Sequence, residues 1–254
     1  MIILDVGNTS ISAARWTASA EVLLRRPDQM ILEPLDSYPT PTDNAGCVEC
    51  LAAVRSMLHA GEELRLVSVV PLVEIVFRRE FSGLVVLDHR SDWPFAIDVV
   101  EPAAVGADRY ANVNAAVAMG WSSALVVDVG TATTFDLLDE GLFRGGLIAP
   151  GPAFAARCLG ERAARLAPVC FEPVPLAAGR DTSSAMAAGS FHVGVRGILS
   201  TIRALRRDLG DTPVVLTGGL AEAVRSHVVN DEDPGLLHVD RHWTLKGAAL
   251  APIP

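Results

Sequence analysis

The chain has a single lysine among its 254 residues, Lys246, and the rest of its positive side-chain charge is arginine. A Walker A loop needs Gly-Lys-Ser/Thr, and the "TLKGAA" around Lys246 does not supply it. Protein-kinase chemistry on a strand lysine is excluded on the same ground, because Lys246 lies close to the C-terminal end. No apolar run approaches the roughly 18 residues of a membrane helix, and no basic stretch followed by an apolar segment and a cleavage site opens the sequence. A cytoplasmic protein without a membrane partner is expected. Basic runs are missing as well, and the net charge is −9. Nucleic acid is therefore not an expected partner, since neutralising phosphates needs a basic surface. A Gly-x-Ser-x-Gly nucleophile turn is absent, which excludes that class of hydrolase. Of the four cysteines, Cys47 and Cys50 form a C-x-x-C, but Cys158 and Cys170 are too far apart to complete a zinc site. The pair reads as two ordinary thiols in a surface segment.

What is present is ample core: 50% of the residues are apolar and 20% charged, a globular profile. The length allows one large domain or two modest ones. "MIILDVG", "SISAARW" and "EVLLRRP" read as three strands joined by short turns, and Asp28 to Ala45 as loop. "CLAAVRSMLHAG" has helical spacing, followed by strand "LRLVSVVP", helix "LVEIVFRREF" and strand "GLVVLDH". "DRYANVNAAVAMGW" is a helix with Asp108 at or near its start. Three more consecutive strands follow, "ALVVDVG", "TTFDLLDEG" and "LFRGGLIAPG". Helices are expected from Pro152 to about Leu166 and from Thr182 to Leu209, then strand "PVVLTGG", helix "LAEAVRSHV" and strand "LLHVD". The second half repeats the element order of the first, so an internal duplication of an α/β unit is the economical explanation.

The two halves share a loop. "LDVGNTS" at Leu4 to Ser10 and "VDVGTATTFD" from Val127 each end an apolar strand with Asp-x-Gly and hydroxyl residues. Glycine lets the backbone turn sharply toward a ligand, so that N–H groups can face phosphate oxygens. Asn8, Thr9, Ser10, Thr131, Thr133 and Thr134 add side-chain donors. A carboxylate repels phosphate directly, so Asp5 and Asp128 would act through a cation. Two such loops across a cleft could hold a nucleoside triphosphate and its metal. In "VGADRY", Val105 to Tyr110, a helix start favours anions. There Asp108 could accept a hydroxyl proton while Arg109 holds an anionic group. "TGGLA" at Thr217 to Ala221 offers a side-chain-free backbone to a nucleotide's flat surface. "GGLIAPGP" reads as a turn and helix start, and Thr182 in "GRDTSSAM" as a helix N-cap or a contact to a polar substrate.

Taken in order, "DVGNTS", "GADRYANVNAA", "VVDVGTATTFD", "GGLIAPG", "GRDTSSAMAAG" and "TGGLA" resemble the type III pantothenate kinases. The resemblance implies an α/β fold of two ribonuclease-H-like halves, as in actin and the acetate and sugar kinases, with a cleft between them. It implies domains over 1–120, with the ATP phosphate loop, and 121–254, with the second loop and dimer-forming helices. It implies ATP-dependent phosphorylation of pantothenate to 4′-phosphopantothenate, the first step of coenzyme A biosynthesis, by a homodimer. ATP would be held by Asp5, Val6, Gly7, Asn8, Thr9, Ser10, Ile11 and Ser12, with Thr131, Gly218 and Gly219 from the second half. Asp5 would lie near Mg²⁺, and Asp128 would bind potassium or ammonium. Gly106, Ala107, Asp108 and Arg109 would bind pantothenate, with Asp108 as proton acceptor and Arg109 near the carboxylate, and Thr182 would reach substrate across the dimer. The family's Tyr-x-Asn-Pro ahead of this motif is here "VVEP", with Val99 and Glu101 in place of Tyr and Asn. That change bears on substrate selection, with Tyr110 as a substitute phenol. Two further readings remain: a kinase for another small hydroxy acid or amide, and a non-catalytic nucleotide-binding regulator.

Overall fold

The computed structural model describes residues 1–17, 32–35, 37–163, 166, 168–228 and 237–252. They form two compact units that interleave along the chain: Met1–Ser122, Glu140–Arg144 and His242–Pro254 in one, Ser123–Asp139 and Gly145–Arg241 in the other. The expected division at 120/121 falls beside the first crossing. The return of the C-terminal residues to unit 1 has no counterpart in a linear split.

In unit 1, strands β1 (Ile2–Val6), β2 (Ser10–Trp16), β3 (Leu32–Pro34), β5 (Leu64–Ser68) and β6 (Leu84–Leu87) lie in the order β3-β2-β1-β5-β6, and β4 (Tyr38–Pro39) also pairs with β2. The β1–β2 hairpin is antiparallel, while β5 and β6 continue the sheet in parallel. Central strands covered on both faces are apolar throughout, and in β1 every residue but Asp5 is buried. Leu4, Val6, Leu66 and Leu64 pack with Val54 of α1 (Asn44–Met57) and with Val73 and Phe77 of α2 (Pro71–Glu80). Helix α3 (Ala107–Ala118) packs on α7 (Trp243–Ala249), and both contact β5. A two-residue strand, β7 (Ala96–Ile97), pairs with Leu142 and Phe143 at the start of β10 (Leu142–Pro150).

In unit 2, β8 (Ala124–Val129), β9 (Ala132–Asp139), β10, β11 (Val214–Thr217) and β12 (Leu237–Val239) take the order β12-β11-β8-β9-β10. This is the order of the first sheet, β8–β9 matching the β1–β2 hairpin and β11 and β12 matching β5 and β6 in parallel pairing. The expected duplication is thus present in topology as well as in sequence. Helices α4 (Pro152–Arg162), α5 (Thr182–Leu209) and α6 (Ala221–Val228) complete it. Val127, Val129 and Leu216 of the sheet pack with Phe191, Val195 and Leu199 of α5 and Val224 of α6.

The strand expected in "EVLLRRP" lies outside the described residues, and several other expectations are corrected. Within Asp28 to Ala45, read as loop, Leu32–Pro34 and Tyr38–Pro39 are short strands paired to β2, and α1 begins at Asn44. Cys47 and Cys50 are not in a surface segment but in the core of unit 1. Burial pushes the Cys50 thiol up to about 11 and raises Cys47 too. A thiol held protonated neither ligates nor attacks readily. The cap of α5 is Asp181, in a reciprocal box with Ser184, and Thr182 is the first helical residue.

Candidate active site

The site residues expected from sequence divide between the units, and each group is described within its own. In unit 1 the loop after β1 is a tight hairpin: Val6 pairs with Ile11, and the Gly7 N–H donates to the Ser10 carbonyl at 3.0 Å. Val6 and Ile11 are fully buried and fix the two ends of the turn from inside the sheet. Asn8, Thr9 and Ser10 stand exposed at the tip, and Gly7, Asp5 and Ser12 are partly exposed. Thr40 steadies this tip from the β4 side. Its hydroxyl donates to the Gly7 carbonyl at 2.6 Å and its N–H to the Thr9 carbonyl at 3.0 Å.

Gly106 is the N-cap of α3. A Cβ there would sit 2.4 Å from Asp108 Oδ1 and 3.2 Å from Val69, so the carboxylate occupies the space a side chain would fill. Val69 in turn donates its N–H to the Val6 carbonyl at 3.0 Å. It therefore brings the end of β1 and the start of α3 to one place. Burial raises the Asp108 pKa, opposed by the Arg109 N–H, which donates to Oδ1 at 2.8 Å, and by the Arg109 charge. Ala107 is buried. The Arg109 guanidinium carbon lies over the Phe143 ring, 5.7 Å from its centroid, and the residue is 9% exposed. Val99 is half-buried and Glu101 exposed. Tyr110 is no substitute phenol: it is fully buried, and its Oη donates to the Pro102 carbonyl at 2.9 Å.

In unit 2 the second hairpin turns at Gly130, whose N–H donates to the Ala132 carbonyl at 2.9 Å. Thr131 is exposed at the tip, and its carbonyl accepts from Gly151, the cap of α4, at 2.9 Å. Thr133 and Thr134 are not ligand donors of the same kind: Thr133 is buried and Thr134 donates to Asp136. Asp128 pairs in register with Thr217. Gly218 has φ 85°, and a Cβ there would fall 2.3 Å from Asp128 Oδ1. Only glycine meets both demands, so the "TGG" turn and the Asp128 carboxylate lie against each other. Gly219 faces open space. Thr217 Oγ1 is buried without a hydrogen-bond partner, at the position paired with Asp128, and a hydroxyl oxygen suits an oxygen-seeking cation. Thr182 is exposed and lines a groove of about 880 Å³ between α4 and α5. Sequence reasoning missed Val69, Thr40, Phe143 and Thr217. None lies in a repeated or glycine-marked motif except Thr217, whose place beside "GG" was the one signal.

Two sheets of identical strand order, each opening with an Asp-x-Gly hairpin, define a two-domain ATPase fold of the actin and sugar-kinase class. Solved structures agree on the fold: a ROK family glucokinase from Streptomyces griseus, in complex with glucose and AMPPNP, matches at TM-score 0.53 and 16% identity over 98% of each chain. The ethanolamine utilization protein EutJ from Carboxydothermus hydrogenoformans matches at 0.54 and 13% identity, over 99% of this chain and 89% of that one. Within that class, the family model for type III pantothenate kinase matches residues 1–204, and the chain belongs to that family. The type III pantothenate kinase of Thermomicrobium roseum is 32% identical over 99% of this chain and 96% of its own length. That of Thermus thermophilus is 30% identical over 97% and 96%.

Proposed function

We propose that this chain transfers the γ-phosphoryl group of ATP to the terminal hydroxyl of pantothenate, forming 4′-phosphopantothenate and ADP in the first step of coenzyme A biosynthesis. The observation that carries the reading is Asp108 at the first turn of α3, in the space Gly106 leaves open and joined through Val69 to the hairpin after β1. The substrate oxygen attacks the γ-phosphorus, the bond to the β-phosphate oxygen breaks, and the hydroxyl proton passes to Asp108. A loose phosphoryl-transfer transition state needs positioning and charge stabilisation more than a strong base. In unit 1, residues 5–12 are the groups for the ATP phosphates and Gly106 to Arg109 those for pantothenate, with Arg109 on its carboxylate; in unit 2, Thr131, Gly218 and Gly219 are further groups for ATP. The donor sets suit hard cations: a carboxylate among hydroxyls at Asp5 for Mg²⁺, and Asp128 with the Thr217 hydroxyl for potassium or ammonium. When bound, these ions neutralise phosphate charge.

The groove between α4 and α5 supports a homodimer in which Thr182 reaches the partner's substrate. Leu147, Ile148, Phe154, Leu159 and Val193 of unit 2 are exposed apolar side chains, an excess that marks an interaction surface. The same reading makes this an enzyme of the cytoplasm, where ATP is available; among the described residues no helix is long and apolar enough to cross a membrane. Folded protein supplied with ATP, Mg²⁺, potassium and pantothenate will release ADP and form 4′-phosphopantothenate. Absence of both products would overturn the reading. A second reading, a kinase for another small hydroxy acid, is favoured by Val99 and Glu101, since the buried Tyr110 does not restore the missing phenol. Specificity constants over a panel of hydroxylated acids and amides decide between them.

A further inference from the structure

Phe143 is joined to three segments that bear on the proposed substrate site: one by its backbone, one by its ring, and one through Tyr110. Its carbonyl accepts the Asp98 N–H at 2.9 Å, and its backbone pairs with Ile97, which fixes the strand leading into Val99. Its ring lies under the Arg109 guanidinium, 5.7 Å from centroid to carbon. The same ring meets Tyr110 edge-on, with centroids 5.5 Å apart, and the Tyr110 hydroxyl anchors the Pro102 carbonyl in the 102–104 turn that precedes Gly106. Trp93 stacks on Tyr110 at 5.9 Å and Phe95 closes the cluster against Phe143. These contacts all lie in unit 1. Their common product is a fixed position for Arg109 relative to residues 97–106.

We infer that Phe143 is a positioning residue that determines selectivity for an acidic substrate, by holding the Arg109 guanidinium on its ring face. A guanidinium free to rotate loses orientation before it can grip a carboxylate, whereas one stacked on a fixed aromatic face presents its N–H edge in one direction. The inference rests on the reading of Arg109 as the partner of the pantothenate carboxylate. It adds that the grip depends on a ring that does not itself touch substrate.

The test compares pantothenate with a neutral amide of pantothenate, in which the carboxylate is replaced, for the wild type, Phe143→Leu and Arg109→Gln. For Phe143→Leu we expect KM for pantothenate to rise by about 3- to 30-fold, the range of a partly buried cation–π contact. KM for the amide, KM for ATP and kcat with either substrate should change by less than about 2-fold. Arg109→Gln should raise KM for pantothenate at least as much, and by clearly more than it raises KM for the amide. Equal loss with acid and amide in Phe143→Leu, or no loss, while Arg109→Gln discriminates, overturns the role of Phe143 alone. If Arg109→Gln fails to discriminate, the reading of Arg109 falls and this inference falls with it. Should Phe143→Leu not fold, pentafluorophenylalanine at 143 keeps the ring shape and reverses the charge of its face, and the same split between acid and amide is expected.

Discussion

Asp108 carries opposed demands, because the burial that suits it for proton transfer disfavours the charge it must hold. Its raised pKa is a stability cost above the pKa of the unfolded chain, since the unfolded state ionises more readily. Asp108→Asn removes that cost along with the proton acceptor. We expect kcat to fall by about 10²- to 10⁴-fold, ATP affinity to stay unchanged and the Tm at pH 7 to rise; calorimetry beside steady-state kinetics reads all three. The acid limb of the wild-type kcat/KM profile should lie above the roughly pH 4 of an ordinary aspartate, because the ionised form is the acceptor and is lost as pH falls through the raised pKa. Glu62 shows the opposite sign. Burial would raise it, but hydrogen bonds from the His59 N–H and from Arg15 prevail and hold it at about 2. Its stabilisation is complete above about pH 4.5, the ordinary value, and is lost as pH falls toward 2. Glu62→Gln should cost about 2 kcal/mol at pH 7 by denaturant melt and much less near pH 2. At this scale the motif residues were legible because glycine marks them: Gly106 and Gly218 each leave room for a carboxylate. Val69 and Phe143 were not, because their roles are contacts between strands distant in sequence and no local pattern requires a valine or a phenylalanine there.

Among the elements, length and periodicity decided what the sequence disclosed. Helix α5 was legible over all 28 residues from its apolar stripe and Gly210 at the close, although its cap is Asp181 and not the Thr182 that the sequence offered. Strands β3, β4 and β7, two or three residues long, exist only through pairing with β2 and β10, so nothing in their own residues announces them. Helix α7 was missed for a related reason. Seven residues are too few to hold a helix by propensity, and tertiary bonds hold it instead. Arg65 donates to the carbonyls of Ala248, Ala249 and Ala251, closing its C-terminal end. Thr244 donates to Asn112 Oδ1, Trp243 to the Asn112 carbonyl, and Asn114 to the Gly247 carbonyl. The last helix thereby seats α3, whose first turn bears Asp108. Thr244→Val keeps the shape but strands a buried acceptor on Asn112, a loss of about 1–3 kcal/mol. Thermal or denaturant melts should show it, with Asn112→Leu in the same background recovering part of the loss.

For the whole molecule, the duplication was legible because both copies keep the same hairpin, whereas the interleaving of the units was not, since it depends on where α7 docks. The proposed dimer sets charge against burial. Each copy carries a net charge of −9, so two copies repel at long range and a dimer must draw its stability from apolar burial. Added salt screens that repulsion, so the dimer should tighten as ionic strength rises, the reverse of a nucleic-acid complex. Val193 lies on α5, 74% exposed and lining the groove beside α4. Val193→Arg would place an unpaired cation in the proposed dimer interface, at a cost of several kcal/mol, and light scattering should find the wild type dimeric and that variant monomeric. Because Thr182 lines the same groove and is proposed to act across the dimer, the monomer should also lose activity, with KM for pantothenate rising more than KM for ATP. A monomeric Val193→Arg enzyme with full activity would remove Thr182 from the partner's site and leave each chain to bind its substrate alone.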